Sequence, residues 1–324
     1  MRLPGTALAA LLLALAAPAA SSVARAQETT THVAPATPVG EAAKPYDFIT
    51  PHITDSDHLE YPCFNAHHGF ACELDLRRLG EHWYIPGTQI DMRPTKHVVM
   101  LLFAAFLATL TLGLAARAHA RHTHAVGRPK GFAAGIEAMV LYLRNEVAIP
   151  NLGPHGERFV PFVMTLFFFI LFANLLGLIP YGATATGNIS VTATLAIITL
   201  IVVEIAGMRA QGLGYLNTIF YWNNDLPMWL RPVMFVVMTP VEIVGKLSKP
   251  FALAIRLFAN MTAGHIVVLA FVGLFFAFGA LVGLAPLLMA VAIMLLELFV
   301  AFLQAFIFCL LASVFIGQIR EAHH

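Results

Sequence analysis

Charge is what this chain has least of. Only 11% of its 324 residues are Asp, Glu, Lys or Arg, where ordinary soluble domains carry about a quarter. That scarcity excludes a single water-soluble globular domain. The 19 basic and 18 acidic residues nearly cancel, so no overall basic field exists to hold nucleic acid. A phosphate-binding loop is missing as well. The one Gly-Lys pair ahead of an apolar stretch, Gly245-Lys246, is followed by Leu247 and lacks the earlier glycine of such loops. The chain therefore has no nucleotide-binding catalytic site of its own. Internal repeats are not visible, and cysteine is down to three. What remains is apolar: 59% hydrophobic residues with 25 Phe and a mean hydropathy of +0.77. Disorder is excluded for most of the chain, because disordered segments are poor in apolar residues. The composition suits a bilayer.

The first 26 residues read as a secretory signal peptide. Arg2 supplies a positive start, Ala7 to Ala17 is too short to span, and Ala24-Arg25-Ala26 is a small-x-small cleavage pattern. An uncleaved anchor is the alternative reading. Residues 27–96 follow as a polar extension, expected in the periplasm of a bacterium, and its stretch 28–45 has the composition of a linker. Cys63 and Cys72 flank His67 and His68. In an oxidising compartment a local disulfide between Cys63 and Cys72 is the simplest reading. A metal site from the same four residues is the alternative, although their spacing matches no common zinc pattern. Cys309, in an apolar run, reads as inert packing.

A spanning helix needs about 20 mostly apolar residues. Val98 to Ala116, Phe159 to Tyr181 and Ile189 to Met208 qualify, the last with one charge, Glu204. From Pro232 the chain is apolar almost to Ile319. Gly279, Gly283 and Pro286 predict a hairpin tip at 278–287, between long helices over 236–277 and 287–318. Pro240 and Pro250 are expected to bend or interrupt the first of these. Five spans from an external start leave the C-terminus in the cytoplasm. The positive-inside rule agrees: Arg117, Arg121, Arg128, Lys130, Arg144, Arg158, Arg209, Arg231 and Arg320 fall on the expected inner side, and the two outer turns carry no Lys or Arg. Residues 131–149 place Ile136, Val140, Leu143 and Val147 on one face and Glu137 and Arg144 on another. This predicts an amphipathic helix on the inner surface, or one packed on other subunits. His119, His122 and His124 read as a solvated loop, and no metal site is expected. The fold class is thus an all-α polytopic membrane protein over 97–324, with five spans and one amphipathic surface helix.

Charged groups inside a bilayer cost at least about 2.5–3.5 kcal/mol each near its centre, so each needs its own explanation. The last two helices contain Glu242, Lys246, Lys249, Arg256, Asn260, His265, Glu297 and Gln304. Lys246 and Lys249 are expected to snorkel to the inner surface. Ala252, Arg256, Ala259, Asn260 and Ala263 share a helical face, and small residues there let another helix come close. Arginine keeps its charge, which suits a partner whose carboxylate alternates between ionised and neutral. His265, nine residues on, points to nearly the opposite side at about 100° per residue. Glu297 and Gln304, seven apart, share a face. His265 and Glu297 on antiparallel helices could form a protonatable pair. Each has a structural alternative: an Arg256–Glu297 bridge, a hydrogen-bonded packing histidine, and helix-linking roles for Asn260 and Gln304.

The segment from Ser248-Lys249-Pro250 through Arg256-Leu257-Phe258-Ala259-Asn260-Met261 to Gly264 resembles the signature of the subunit a family of F-type ATP synthases. Leu303-Gln304-Ala305-Phe306-Ile307-Phe308 resembles that family's last helix, and Asn188-Ile189-Ser190-Val191-Thr192 and Asn174-Leu175-Leu176-Gly177-Leu178-Ile179-Pro180 its middle spans. The resemblance covers roughly 80–320. It implies a proton-conducting stator with two half-channels, its last two long, tilted helices forming a hairpin against a rotating ring of c subunits. Other ATP synthase subunits, b among them, are implied partners, and no cofactor is. Arg256 would face the ring carboxylate, and Glu242, Asn260, His265, Glu297 and Gln304 match channel positions. The extension with Cys63 and Cys72 departs from the family pattern. An independent proton-coupled transporter is the rival reading, and it usually shows internal repeats; a structural scaffold is a second.

Overall fold

The computed structural model describes residues 55–56, 58–65, 69–76, 95–122, 131–179, 184–215 and 231–321. The expected signal peptide and linker lie outside these residues. Ahead of the helices stands a two-stranded antiparallel ribbon, β1 (His58–Asn65) and β2 (Gly69–Asp75). The all-α expectation holds for the membrane part, and the ribbon is an addition to it. Glu60 pairs with Glu73 and Tyr61 with Cys72, and the register shifts between Pro62 and Asn65, where proline cannot donate to the ladder. Cys63 and Cys72 thus sit on paired strands. Their side chains, and His67 and His68, lie outside the described residues.

The helices are α1 (Lys96–His122), α2 (Phe132–Tyr142), α3 (Val160–Gly177), α4 (Ile189–Gln211), α5 (Arg231–Gly279) and α6 (Leu281–Arg320). All but α2 belong to five segments long and apolar enough to cross a membrane. Uncharged runs of this length form helices in hydrocarbon because every backbone polar group must be satisfied within the segment. At 1.5 Å per residue α5 and α6 measure about 73 and 60 Å, roughly twice the hydrocarbon thickness of about 30 Å. Helices so long remain in the bilayer only by running obliquely.

The break between α5 and α6 falls at Gly279, whose φ of 73° is the one non-helical conformation between Arg231 and Glu321. Glycine adopts it without a Cβ clash. A Cβ on Gly283 would press on the Phe275 backbone at 2.8 Å, so the hairpin closes only with glycine there. Two expectations are corrected. Pro286 lies inside α6, not at the tip, because proline near a helix start removes at most one intrahelical bond. Pro240 and Pro250 do not interrupt α5, whose backbone stays helical through both.

Two compact units divide the chain. The first comprises residues 1–111, 168–194 and 257–305. Its packing includes Ala104 of α1 against Ala173 and Leu176 of α3. Asn174, fully buried, donates to the Ala301 carbonyl at 3.1 Å and accepts from Thr186 at 2.7 Å. At the start of α1, His97 Nδ1 lies 2.9 Å from Asp55, and the Lys96 amide donates to the Ser56 carbonyl. Burial pushes the Asp55 carboxyl up, but His97, helped by Thr95, outweighs it and leaves the group below the ordinary carboxylate range. A depressed carboxyl stabilises the fold above its unfolded value and loses that contribution as pH falls through the folded one.

The second unit comprises 112–167, 195–256 and 306–324. The amphipathic helix lies here. Ile136, Leu143 and Val147 are buried within the chain's own fold and Arg144 is exposed, so much of its apolar stripe is covered without another subunit. Past Tyr142 the helix widens to a π stretch, Leu143–Ala148. Arg320, at the end of α6, donates to the Leu152 and Pro154 carbonyls at 2.8 and 2.7 Å and lies over the Phe159 ring. Gln211 donates to the Ile319 carbonyl at 2.7 Å.

Two measurements follow from these contacts. Arg320→Ala is expected to lower the thermal stability of the detergent-solubilised protein by the loss of charge-assisted bonds worth about 1.5–3 kcal/mol each. Arg320→Lys should recover only part, since one ammonium lacks the two-pronged guanidinium geometry. Protease protection of the ribbon should fall as pH drops below the ordinary aspartate value of 3.8, and Asp55→Asn should abolish that pH dependence.

Candidate functional site

The helix α5 carries most of the anomalous polar groups. Ala252, Arg256, Ala259, Asn260 and Ala263 are all exposed along one face, as the spacing predicts. The opposite stripe, with Leu253, Leu257 and Met261, is buried. Among the described residues Arg256 has no ion-pair or hydrogen-bond partner. A guanidinium that would be costly in hydrocarbon stands uncovered amid alanines. Large exposed apolar side chains, such as Phe251 and Ile255 on α5 and Leu288, Leu295, Leu298 and Phe299 on α6, form more apolar surface than a water-soluble monomer leaves open.

His265 and Glu297 do come together. His265 Nδ1 lies 3.8 Å from Glu297 Oε1, close enough for an ion pair when the histidine is protonated and too long for a hydrogen bond. Glu297 is nearly inaccessible, and its Oε1 has no hydrogen-bond partner among the described residues. Such an orphan is costly unless water, a proton or another chain satisfies it. Space for the carboxyl comes from Gly264, where a Cβ would sit 3.0 Å from Glu297 Cδ and Oε1. Gln304 is buried two turns along α6. His265 is turned away from the Arg256 face, as its nine-residue offset requires.

Glu242 is exposed on α5, 14 residues before Arg256, or about 21 Å along the axis. His265 is about 13.5 Å beyond Arg256 by the same measure. Along α5 the order is thus an acid, a cation with no partner among the described residues, and the histidine that approaches Glu297 of α6. Among the described residues no group of three or more His, Cys, Asp or Glu could hold a metal ion.

The two lysines expected to snorkel also make contacts within the chain. Lys249 sits over the Phe315 ring at 5.1 Å. Lys246 donates to the Tyr215 hydroxyl at 2.7 Å and lies 3.8 Å from Glu204. Tyr215 closes the cluster by donating to Glu204. Sequence reasoning noticed Glu204 and Lys246 singly and missed Tyr215. The three lie 11 and 31 residues apart in sequence, on more than one element, so helical periodicity carries no signal. Asn174 and Thr186 were missed as polar links for the same reason.

The family model described as ATP synthase A chain matches residues 98–317. An ATP synthase subunit a from Anaeromyxobacter dehalogenans is 43% identical over 270 residues, covering 82% of this chain and 67% of the relative. One from Myxococcus xanthus is 45% identical over 262 residues, 78% of this chain and 82% of the relative. One from Pelodictyon phaeoclathratiforme is 38% identical over 309 residues, 94% and 85% respectively.

The tight fit at Gly264 is testable. Gly264→Val should destabilise the folded chain by about 1–3 kcal/mol through overpacking, read as a lower midpoint of thermal unfolding in detergent. Adding Glu297→Ala vacates the space, so the double variant should lose less than the two single losses summed.

Proposed function

The chain belongs to the ATP synthase A chain family, and on that premise we propose that it is the proton-conducting stator subunit of the F0 sector, working through the polar groups of α5 and α6. Membership makes other ATP synthase subunits its partners and makes it a multi-pass membrane protein. The specific partner at the α5 face is the c-subunit ring, with b subunits holding the stator. The observation that carries this reading is the exposed, unpaired Arg256 on a face of small residues. With no counter-ion among the described residues, the charge is available to a carboxylate on a moving neighbour.

The physics of the cycle follows from the cost of charge in hydrocarbon. A ring carboxylate can face lipid only when protonated. Opposite Arg256 it can be ionised, because a cation stands beside it. The ring therefore turns past Arg256 only by shedding a proton on one side and gaining one on the other. Asn260, His265, Glu297 and Gln304 serve the outer half-channel and Glu242 the inner one. Arg256 between them repels a free proton and blocks a direct leak. His265 and Glu297 pass the proton inward, the unpaired Oε1 of Glu297 being the acceptor.

Each charge crossing the potential releases about 2.3 kcal/mol per 100 mV. One translocation is too little to make ATP, so several are pooled mechanically by rotation, and the nucleotide chemistry resides on other subunits. The distribution of Arg117, Arg144, Arg158, Arg209, Arg231 and Arg320 supports a bacterial inner-membrane orientation with a periplasmic N-terminus and a cytoplasmic C-terminus. The 27–96 extension then lies on the periplasmic side.

Arg256→Ala tests the reading. The complex is expected to assemble with its ring yet lose proton-driven ATP synthesis, measured in membrane vesicles energised by a pH gradient. Coupled synthesis at the wild-type rate would refute it.

A further inference from the structure

The Glu204–Tyr215–Lys246 cluster remains outside the groups that the stator reading uses. It is a built site. Glu204 lies on α4, and Tyr215 follows the single 3-10 turn, Gly212–Gly214, that ends it. Tyr215 is almost completely buried. Its ring lies on Gly207, where a Cβ would meet Cε2 at 2.6 Å, so the missing side chain three residues after Glu204 seats the ring. The hydroxyl donates to Glu204 Oε2 and accepts from Lys246 Nζ at 2.7 Å. The ammonium also lies 4.4 Å from the ring centroid. Burial, and then the bond to Glu204, push the Tyr215 hydroxyl up, with the Glu242 charge adding to the same shift. The tyrosine thus keeps its proton and stays a donor, and Glu242 is within electrostatic reach of it.

A purely structural bridge would bury Lys246 directly against Glu204. Here the closest approach of ammonium to carboxylate is 3.8 Å, with the Lys246 and Glu204 side chains 17% and 25% exposed. The carboxylate keeps one oxygen, Oε1, free of the tyrosine, on a side chain that is partly exposed. Glu204 and Lys246 meet at Tyr215, and the charge of Glu242 reaches the same hydroxyl.

We propose that Glu204 is a second proton-accepting carboxylate of the inner half-channel, positioned by Tyr215 and Lys246, that takes the proton from Glu242 and releases it to water. This rests on the stator reading above. In the transfer, the O–H bond of the Glu242 carboxyl breaks, directly or through one water, as an O–H bond forms on Glu204. The second step returns the proton to bulk water and restores the carboxylate. Tyr215 keeps its own proton throughout and holds the acceptor in place. Lys246 compensates one of the two acids.

The test uses the assembled ATP synthase in proteoliposomes, with passive proton flow through F0 and ATP-driven pumping measured as functions of pH on the inner side. Glu204→Gln is expected to slow proton flow about tenfold or more, with the ring still copurifying. Glu204→Asp should restore part of the rate, and Tyr215→Phe should change the pH profile more than it changes assembly. A wild-type rate and pH profile in Glu204→Gln overturns the proposal. If that variant fails to assemble, Glu204→Gln combined with Lys246→Met removes both charges. Assembly regained with slow proton flow supports the proposal, and full flow regained overturns it in favour of charge pairing alone. Arg256→Ala in the same preparation reports on the parent reading. Coupled synthesis surviving there sinks the stator function itself, whatever Glu204 does.

Discussion

A guanidinium with no ion-pair or hydrogen-bond partner among the described residues sets the terms for the rest of this molecule. Arg256 keeps its charge at a position where hydrocarbon penalises charge, and the helix around it presents alanines and an asparagine rather than an acid. The small neighbours let another helix come close to this face. The stripe of Leu253, Leu257 and Met261 on another side of the same helix is buried.

Polar groups elsewhere follow one rule with two outcomes. Some are fully satisfied inside the chain and serve as fasteners. Asn174 bonds both Thr186 and the Ala301 carbonyl, and Arg320 bonds two carbonyls beyond α2. Others are left incomplete. Glu297 has an orphan oxygen 3.8 Å from His265, and Arg256 is unpaired. Natural folds rarely leave buried polar atoms unmet, so the orphan oxygen of Glu297 stands out, as does the exposed guanidinium of Arg256 with no partner among the described residues. The Glu204 cluster lies between these extremes, with one oxygen bonded by Tyr215 and the other 3.8 Å from Lys246.

The exposed apolar surface carries the complementary message. Along α5 and α6, large side chains such as Phe251, Leu281 and Phe299 face outward. In water such a surface would drive aggregation. In a bilayer it costs nothing, and the polar stripe becomes the exception requiring a partner. The ribbon β1–β2 and its tether, Asp55 to His97, belong to the opposite regime, in which buried charge is paired and the backbone finds its hydrogen bonds across strands.

Much was legible from the amino acids alone, for reasons local to the chain. Hydrocarbon demands long uncharged helices, so five spans could be counted from apolar runs, and α1 and α4 begin within two residues of the expected starts. Helical periodicity put Ala252, Arg256, Ala259, Asn260 and Ala263 on one side and His265 on the other, because 3.6 residues per turn is a property of the backbone and not of the fold. Local pattern failed wherever two readings satisfied the same residues. Gly279, Gly283 and Pro286 all signal a break, and only the backbone conformation selects Gly279. Strand pairing at residues 58–75 joins short segments whose side chains carry no helical or spanning signature. Above all, which charges meet was decided by tertiary structure. Lys246 meets Tyr215 and Glu204, and Arg256 meets no ion-pair partner among the described residues. Partner choice depends on distances between helices, and a sequence specifies those only through packing of all of them at once.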